Sequence, residues 1–151
     1  MRAGLRAATT LADHKAAKRL IKAYADELGV DLCFQNFDRE IADLAGTYQT
    51  ILLAGDAPDP DGCVALKRHD DECCEMKRLY VKPEARGACL GEMLSLAIIG
   101  EARAGGYREM VLDTLERLGP AVRIYQRLGF RRCAPYYKNP EPDVIYMVLE
   151  L

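Results

Sequence analysis

The order of apolar patterns along the chain predicts an α/β fold of the mixed α+β kind, a central mixed, mostly antiparallel sheet flanked by helices. Three observations carry this expectation. Strand-like segments come first as a run joined by short turn-rich loops, at Thr50 to Gly55, Cys63 to Arg68 and Cys73 to Val81, which is the signature of antiparallel hairpins. From Met93 onward helical and strand periods alternate, as in βαβ units. At 151 residues, 50% of them apolar, the chain is expected to be one domain spanning 1–151 that buries a core without disulfide or metal staples.

The elements follow in order. Leu5 to Ala8 reads as a short first strand, and Thr10-x-x-Asp13 then has the spacing of a capping box. Ala17, Leu20, Ile21, Tyr24 and Leu28 recur at helical spacing, with Lys15, Lys18, Lys22 and Asp26 between them and Gly29 placed to end the helix. Phe37 to Leu44 reads as a second, shorter helix after the connection Val30 to Asn36; Phe34 and Phe37 either pack in the core or reach toward a substrate. Asp56-Ala57-Pro58-Asp59-Pro60-Asp61-Gly62 suits a hairpin loop, and His69-Asp70-Asp71-Glu72 a polar turn. Met93 to Ala104 is a helix closed by Gly105-Gly106, Glu109 to Thr114 a strand, and Pro120 to Leu128 a helix with proline in its first turn. Phe130 to Ala134 and Val144 to Glu150 complete the sheet.

The most informative stretch runs from Leu79 to Leu94, where a β-branched and aromatic strand breaks at Pro83 into a turn bearing Gly87 and Gly91 and then a helix. Glycines able to take φ > 0 let a ligand approach the main chain, and the first N–H groups of a helix lack internal partners and point at an anion. A phosphorylated ligand is expected there. Glu92 after Gly91 excludes a Walker loop, which needs Lys and a hydroxyl, and the Gly87-x-x-x-Gly91 spacing late in the chain does not match the dinucleotide fingerprint.

Arg86-Gly87-Ala88-Cys89-Leu90-Gly91 resembles the Arg/Gln-x-x-Gly-x-Gly/Ala loop of the GNAT superfamily of acetyl-CoA-dependent N-acetyltransferases. Ala121 to Phe130, with Tyr125 ahead of Leu128-Gly129-Phe130, is similar to that family's late helix, and the two motifs stand in the family's order. Cys89 departs from the pattern, because the family has glycine at that place. The resemblance implies the GNAT acyl-CoA N-acyltransferase fold and acetyl-CoA as acetyl donor. It also implies cofactor contacts from Leu79, Tyr80, Val81, Arg86, Gly87, Ala88, Cys89, Leu90 and Gly91, with main-chain groups of Leu79 and Val81 on the thioester and pantetheine. Tyr125 matches the position of the acid that protonates the departing thiolate.

An alkylammonium must lose a proton before it can attack, and Glu75 is the candidate base, acting through a water. Strict alternation places Glu75, Lys77, Leu79 and Val81 on one strand face. Arg86 is the motif's phosphate partner, with Lys82, Arg123 and Arg127 available for a 3′-phosphate. Cys74 and Cys89 raise an acyl-enzyme, but direct transfer in a ternary complex is the simpler expectation. Pro135 to Pro142, aromatic and stiffened by proline, is placed to line an acceptor pocket for a small amine or amino acid. The alternatives are a catalytically silent acyl-CoA-binding module and a protein lysine or N-terminal acetyltransferase.

A net charge of −2 with mixed signs argues against a nucleic-acid partner. No apolar run is long enough for a membrane span and no signal peptide is apparent, so the expectation is a cytoplasmic protein with a small-molecule partner; homodimer formation is left open. Six cysteines without a Cys-x-x-Cys pair suggest free, mostly buried thiols and no metal site.

Overall fold

The computed structural model describes residues 4–32, 35–56 and 58–151. Phe34 and Ala57, named above, lie outside the described residues, as does Cys33, one of the six cysteines. The elements are β1 (Leu5–Ala7), α1 (Leu11–Leu28), α2 (Phe37–Ala42), α3 (Leu44–Thr47), β2 (Thr50–Ala54), β3 (Gly62–Arg68), β4 (Cys73–Val81), α4 (Leu90–Ala104), β5 (Glu109–Leu115), α5 (Gly119–Arg127), β6 (Arg131–Arg132) and β7 (Val144–Glu150). Seven strands form one sheet in the order β1-β2-β3-β4-β5-β7-β6. Among the described residues only β4 and β5 pair in parallel; the other neighbours are antiparallel, as expected for a hairpin run followed by a crossover through α4.

The local signals account for the helix ends. Thr10 accepts from Asp13 N at 3.1 Å while the Asp13 carboxylate accepts from the Thr10 and Thr9 amides, closing the capping box. Gly29 ends α1 in the left-handed region at φ 68°. The single helix expected over Phe37 to Leu44 is two short ones, because Asp43 leaves helical geometry and its side chain caps the Gly46 amide of α3. The strand expected at Phe130 to Ala134 shrinks to Arg131–Arg132 at the sheet edge. α4 starts at Leu90, a turn before the expected Met93.

Two apolar layers cover the sheet. On one face α4 and α5 bury Leu94, Ile98, Leu112, Met147 and Tyr125. On the other, α1 and α3 bury Ala17, Leu20, Ile21, Leu44, Ile51 and Leu53. Full burial of one such Leu or Ile side chain is worth about 1.5–3 kcal/mol, so each layer is a substantial share of stability. The described cysteines are all free, but only Cys63 and Cys74 are buried; Cys73 and Cys133 are half-buried and Cys89 is exposed, which corrects the expectation of mostly buried thiols. No helix among the described residues is long and apolar enough to cross a membrane.

Candidate active site

The site begins at an irregularity in β4. Ala65 pairs with Lys77 and Cys63 with Tyr80, so Arg78 and Leu79 together oppose Val64. Arg78 sits at φ 59°, a left-handed conformation unusual for a long side chain. This bulge resets the alternation. Cys74 and Met76 face the α4 layer, and so do Leu79 and Val81, whereas Tyr80 faces the α1 layer. Glu75 and Lys77 therefore lie on the opposite face from Leu79 and Val81, contrary to the strict alternation expected from the sequence.

Arg78 is held in place by a buried pair. Its Nε and Nη2 donate to the two Glu40 carboxylate oxygens at 2.9 and 2.7 Å, with both side chains 4% exposed. Phe37 lies under the guanidinium, 5.6 Å from the ring centroid, so it serves the core and the bulge rather than a substrate.

The bulge also marks where the sheet opens. The β4–β5 ladder stops at Glu75↔Val111, although the strands run on to Val81 and Leu115. Past that point no strand pairs with β4 on its β5 side among the described residues, and a cleft of about 1200 Å³ including open space lies at the end of β4, walled by the turn that follows it, the start of α4 and α5. Leu79, Tyr80, Val81, Arg86, Gly87, Cys89, Leu90 and Gly91 line it, which brings together every expected cofactor residue except Ala88, an exposed residue of the turn. Leu118, Ala121 and Ile124 add an apolar wall from α5 and the loop before it.

In the turn itself the left-handed residues are Gly87, at φ 96°, and Cys89, at φ 61°. The sequence pointed to Gly87 and Gly91. Gly91 is instead within α4, and its missing side chain has a packing reason: a Cβ there would lie 3.3 Å from Ile124 Cδ1. Cys89 is the N-cap of α4 and makes no side-chain cap hydrogen bond. Arg86 Nε donates to the Val81 carbonyl at 3.0 Å and Nη2 to Glu27 at 2.6 Å, with the guanidinium 5.7 Å from the Tyr80 ring centroid. Of the other cations named, Lys82 pairs with Asp59 and Arg127 with Glu92, while Arg123 is exposed on α5.

A second cleft meets the first, sharing Tyr24, Leu79, Leu118 and Ala121 as walls. Tyr125 lines it from α5, edge-on to Phe130 at 5.8 Å. Burial pushes the Tyr125 phenol well above its usual range, so it stays protonated.

Glu75 is buried behind this cleft and is not among its lining residues. One oxygen meets His69 Nε2 at 2.8 Å and the other accepts from the Tyr136 hydroxyl at 2.6 Å. Burial alone would raise the Glu75 carboxyl, but the His69 hydrogen bond, the Lys77 charge and the Tyr136 hydrogen bond outweigh it and hold the group below the usual glutamate range. Cys74 is a poor nucleophile, since burial pushes its thiol up to about 12.

The sequence reading assigned no role to Asp113, which lines the second cleft from β5. Its Oδ2 accepts from Tyr137, and from Asn139 Nδ2 at 2.9 Å. A signal was present: Asp113 is a lone acid in the apolar run Met110 to Leu115. Tyr136 and Tyr137 thus fasten the expected acceptor loop to two strand carboxylates. The acids of the hairpin turns serve structure, Asp70 capping the amides of Glu72 and Cys73.

A sheet that opens beside a bulge and runs into a glycine-bearing turn at a helix start is the scaffold expected from the resemblance to acyl-CoA N-acyltransferases. Residues 47–132 match the family model described as an acetyltransferase (GNAT) domain, and the chain belongs to the GNAT acetyltransferase superfamily. It is 47% identical over 140 residues to an uncharacterized N-acetyltransferase of Schizosaccharomyces pombe, spanning 89% of this chain and 86% of that one. An acetyltransferase of Streptococcus agalactiae superposes with a TM-score of 0.81 at 22% identity, over 100% of this chain and 99% of that one. The yncA protein of Salmonella typhimurium, solved with its cofactor acetyl-CoA, gives 0.72 at 22% identity over 99% and 94%. The chain is an acyltransferase by class.

Proposed function

We propose that the chain transfers the acetyl group of acetyl-CoA to the primary amine of a small molecule or amino acid, directly, with both substrates bound. The observation that carries this reading is the early end of the β4–β5 ladder beside the turn Arg86 to Gly91. The residues present suit the donor. Gly87 leaves its turn open, with nothing within 4 Å of where a Cβ would stand, and α4 begins just beyond. The apolar wall of Leu79, Val81, Leu118 and Ile124 suits a pantetheine arm. The solved yncA structure with acetyl-CoA supports the same donor.

Bound acetyl-CoA would supply an activated thioester. Main-chain N–H groups on the unpartnered edge of β4 at Leu79 and Val81 are the donors placed for its oxygen, a contribution worth roughly 2.7–4 kcal/mol in acyl transfer. Tyr125 holds the proton that the thiolate takes up. Asp113 faces the acceptor cleft, receives the ammonium and accepts the proton it must lose before attack; Glu75, with its oxygens taken by His69 and Tyr136, does not line that cleft. The loop fastened by Tyr136 and Tyr137 puts Asn139 and Glu141 in the wall of the acceptor cleft, which favours a small amine over a peptide.

The test is the thermal unfolding midpoint with and without acetyl-CoA, with ATP and NAD as controls, followed by thiol release across a panel of amines. At a hundredfold excess over its dissociation constant, acetyl-CoA adds about 2.7 kcal/mol and raises the midpoint by roughly 5–10 °C. No selective shift at saturation removes the donor assignment, and a shift without thiol release on any acceptor removes the transferase assignment.

A further inference from the structure

Four charged side chains line the acceptor cleft: Lys77, Arg78, Asp113 and Glu141. Two of them are already neutralised. Arg78 is locked to Glu40, and Glu141 pairs with Arg117 at 3.1 Å. The other two have capacity left. The Lys77 side chain is only 9% exposed; among the described residues its ammonium makes one hydrogen bond, to Gln35 Oε1 at 3.3 Å, and an ion pair with Glu75 Oε2 at 3.9 Å, too long for a hydrogen bond. An ammonium carries three donors, so two remain for a ligand. Asp113 accepts twice on Oδ2, while its Oδ1 accepts no hydrogen bond among the described residues.

Their placement is set by the strands. Glu75↔Val111 is the last parallel pair, and Lys77 and Asp113 each lie two residues further on, so they continue the register on one face across the opening. Parallel strands are about 4.8 Å apart while paired, and the gap widens only from there. The two opposite charges therefore face each other across a short span.

We propose that the acceptor is zwitterionic, a compact amino acid whose amine is received by Asp113 and whose anionic group is read by Lys77. This rests on the acetyl-transfer reading of the same cleft and narrows its substrate class. The geometry disfavours polyamines, which would bring a second cation to the buried Lys77 ammonium, and amines without an anionic group, which would leave its two remaining donors unused. Lys77 is then a specificity-determining residue. Gln35, bonded to both Lys77 and the Tyr137 hydroxyl, positions it.

The experiment uses matched sets: the twenty protein amino acids and short ω-amino acids, their methyl esters, and the decarboxylated amines. Binding to the CoA-loaded protein is read by calorimetry and turnover separately by thiol release, for wild type, Lys77→Met and Lys77→Arg. At least one free acid is expected to bind and react about tenfold or more better than its ester, a margin suited to one charge-assisted contact. Lys77→Met should erase that ratio mainly through KM, and Lys77→Arg should restore part of it. Free acids that bind with this preference but release no thiol sink the acetyl-transfer reading and support this one. Esters binding as tightly as acids, no free acid binding at all, or a preference kept by Lys77→Met each overturn it.

Discussion

The Glu40–Arg78 pair offers the sharpest test of how this fold builds its site. Glu40→Ala removes both acceptors of a guanidinium that is 4% exposed and donates at 2.9 and 2.7 Å. Breaking a buried pair on one side costs about 3–5 kcal/mol, because the remaining charge is left without a partner and away from water. For a chain of this length, each kcal/mol moves the melting midpoint by roughly 2–4 °C, so Glu40→Ala should lower it by roughly 6–20 °C. Arg78 also holds a positive φ at the bulge that turns Leu79 toward the cleft proposed for the donor. Acetyl-CoA affinity should consequently fall even at temperatures where the variant is folded. Combining Glu40→Leu with Arg78→Met removes both charges and should be more stable than Glu40→Ala alone, while still binding acetyl-CoA poorly. The assays are urea unfolding, calorimetric binding and a double-mutant cycle. A Glu40→Ala loss below about 1 kcal/mol, or fully additive single effects, would refute the reasoning.

Further outcomes follow from the same geometry. Tyr125→Phe should lower turnover in the thiol-release assay and leave acetyl-CoA affinity nearly intact; unchanged turnover removes Tyr125 from the mechanism. Cys89→Gly relieves a left-handed non-glycine residue at φ 61° and should stabilise the chain by about 1 kcal/mol, with acetyl-CoA bound at least as tightly, by unfolding and calorimetry. Glu75 is held ionised, so its stabilising contribution is present above the unfolded glutamate pKa of about 4.3 and is lost as pH falls through its lower folded value. Glu75→Gln should flatten the acid limb of stability against pH, and an unchanged limb speaks against the His69 and Tyr136 bonds. Among the described residues the buried Tyr48 hydroxyl, beside the Glu40–Arg78 pair, makes no hydrogen bond, so Tyr48→Phe should be neutral or stabilising by denaturant midpoint.

Local chemistry made most of the architecture legible. The capping box at Thr10, the terminal Gly29, the hairpin run and the βαβ alternation are short-range signals, and each reports a backbone conformation that few residues within a turn or two decide. The glycine-bearing turn after β4 was legible for the same reason, since a strand, a turn and a helix start follow one another within a few residues. The acceptor side was not. Glu75 looked like a free strand acid, but which groups surround it depends on His69 from the preceding turn and on Tyr136, 61 residues away. Asp113 gains its partners from a loop more than 20 residues later, and Lys77 and Asp113 face each other only because β5 docks in parallel on β4.

The bulge at Arg78 shows the boundary most clearly. Period-two alternation is a property of the chain alone, and it placed Glu75 with Leu79. A buried carboxylate on α2, 38 residues earlier, stabilises one left-handed residue and moves every later side chain of β4 to the other face. The sequence by itself determined the fold class, most of the element order and the family. Tertiary structure decided which charges stay paired and which remain for a substrate, because burial and long-range contacts, not neighbouring residues, set whether a charged group has a partner.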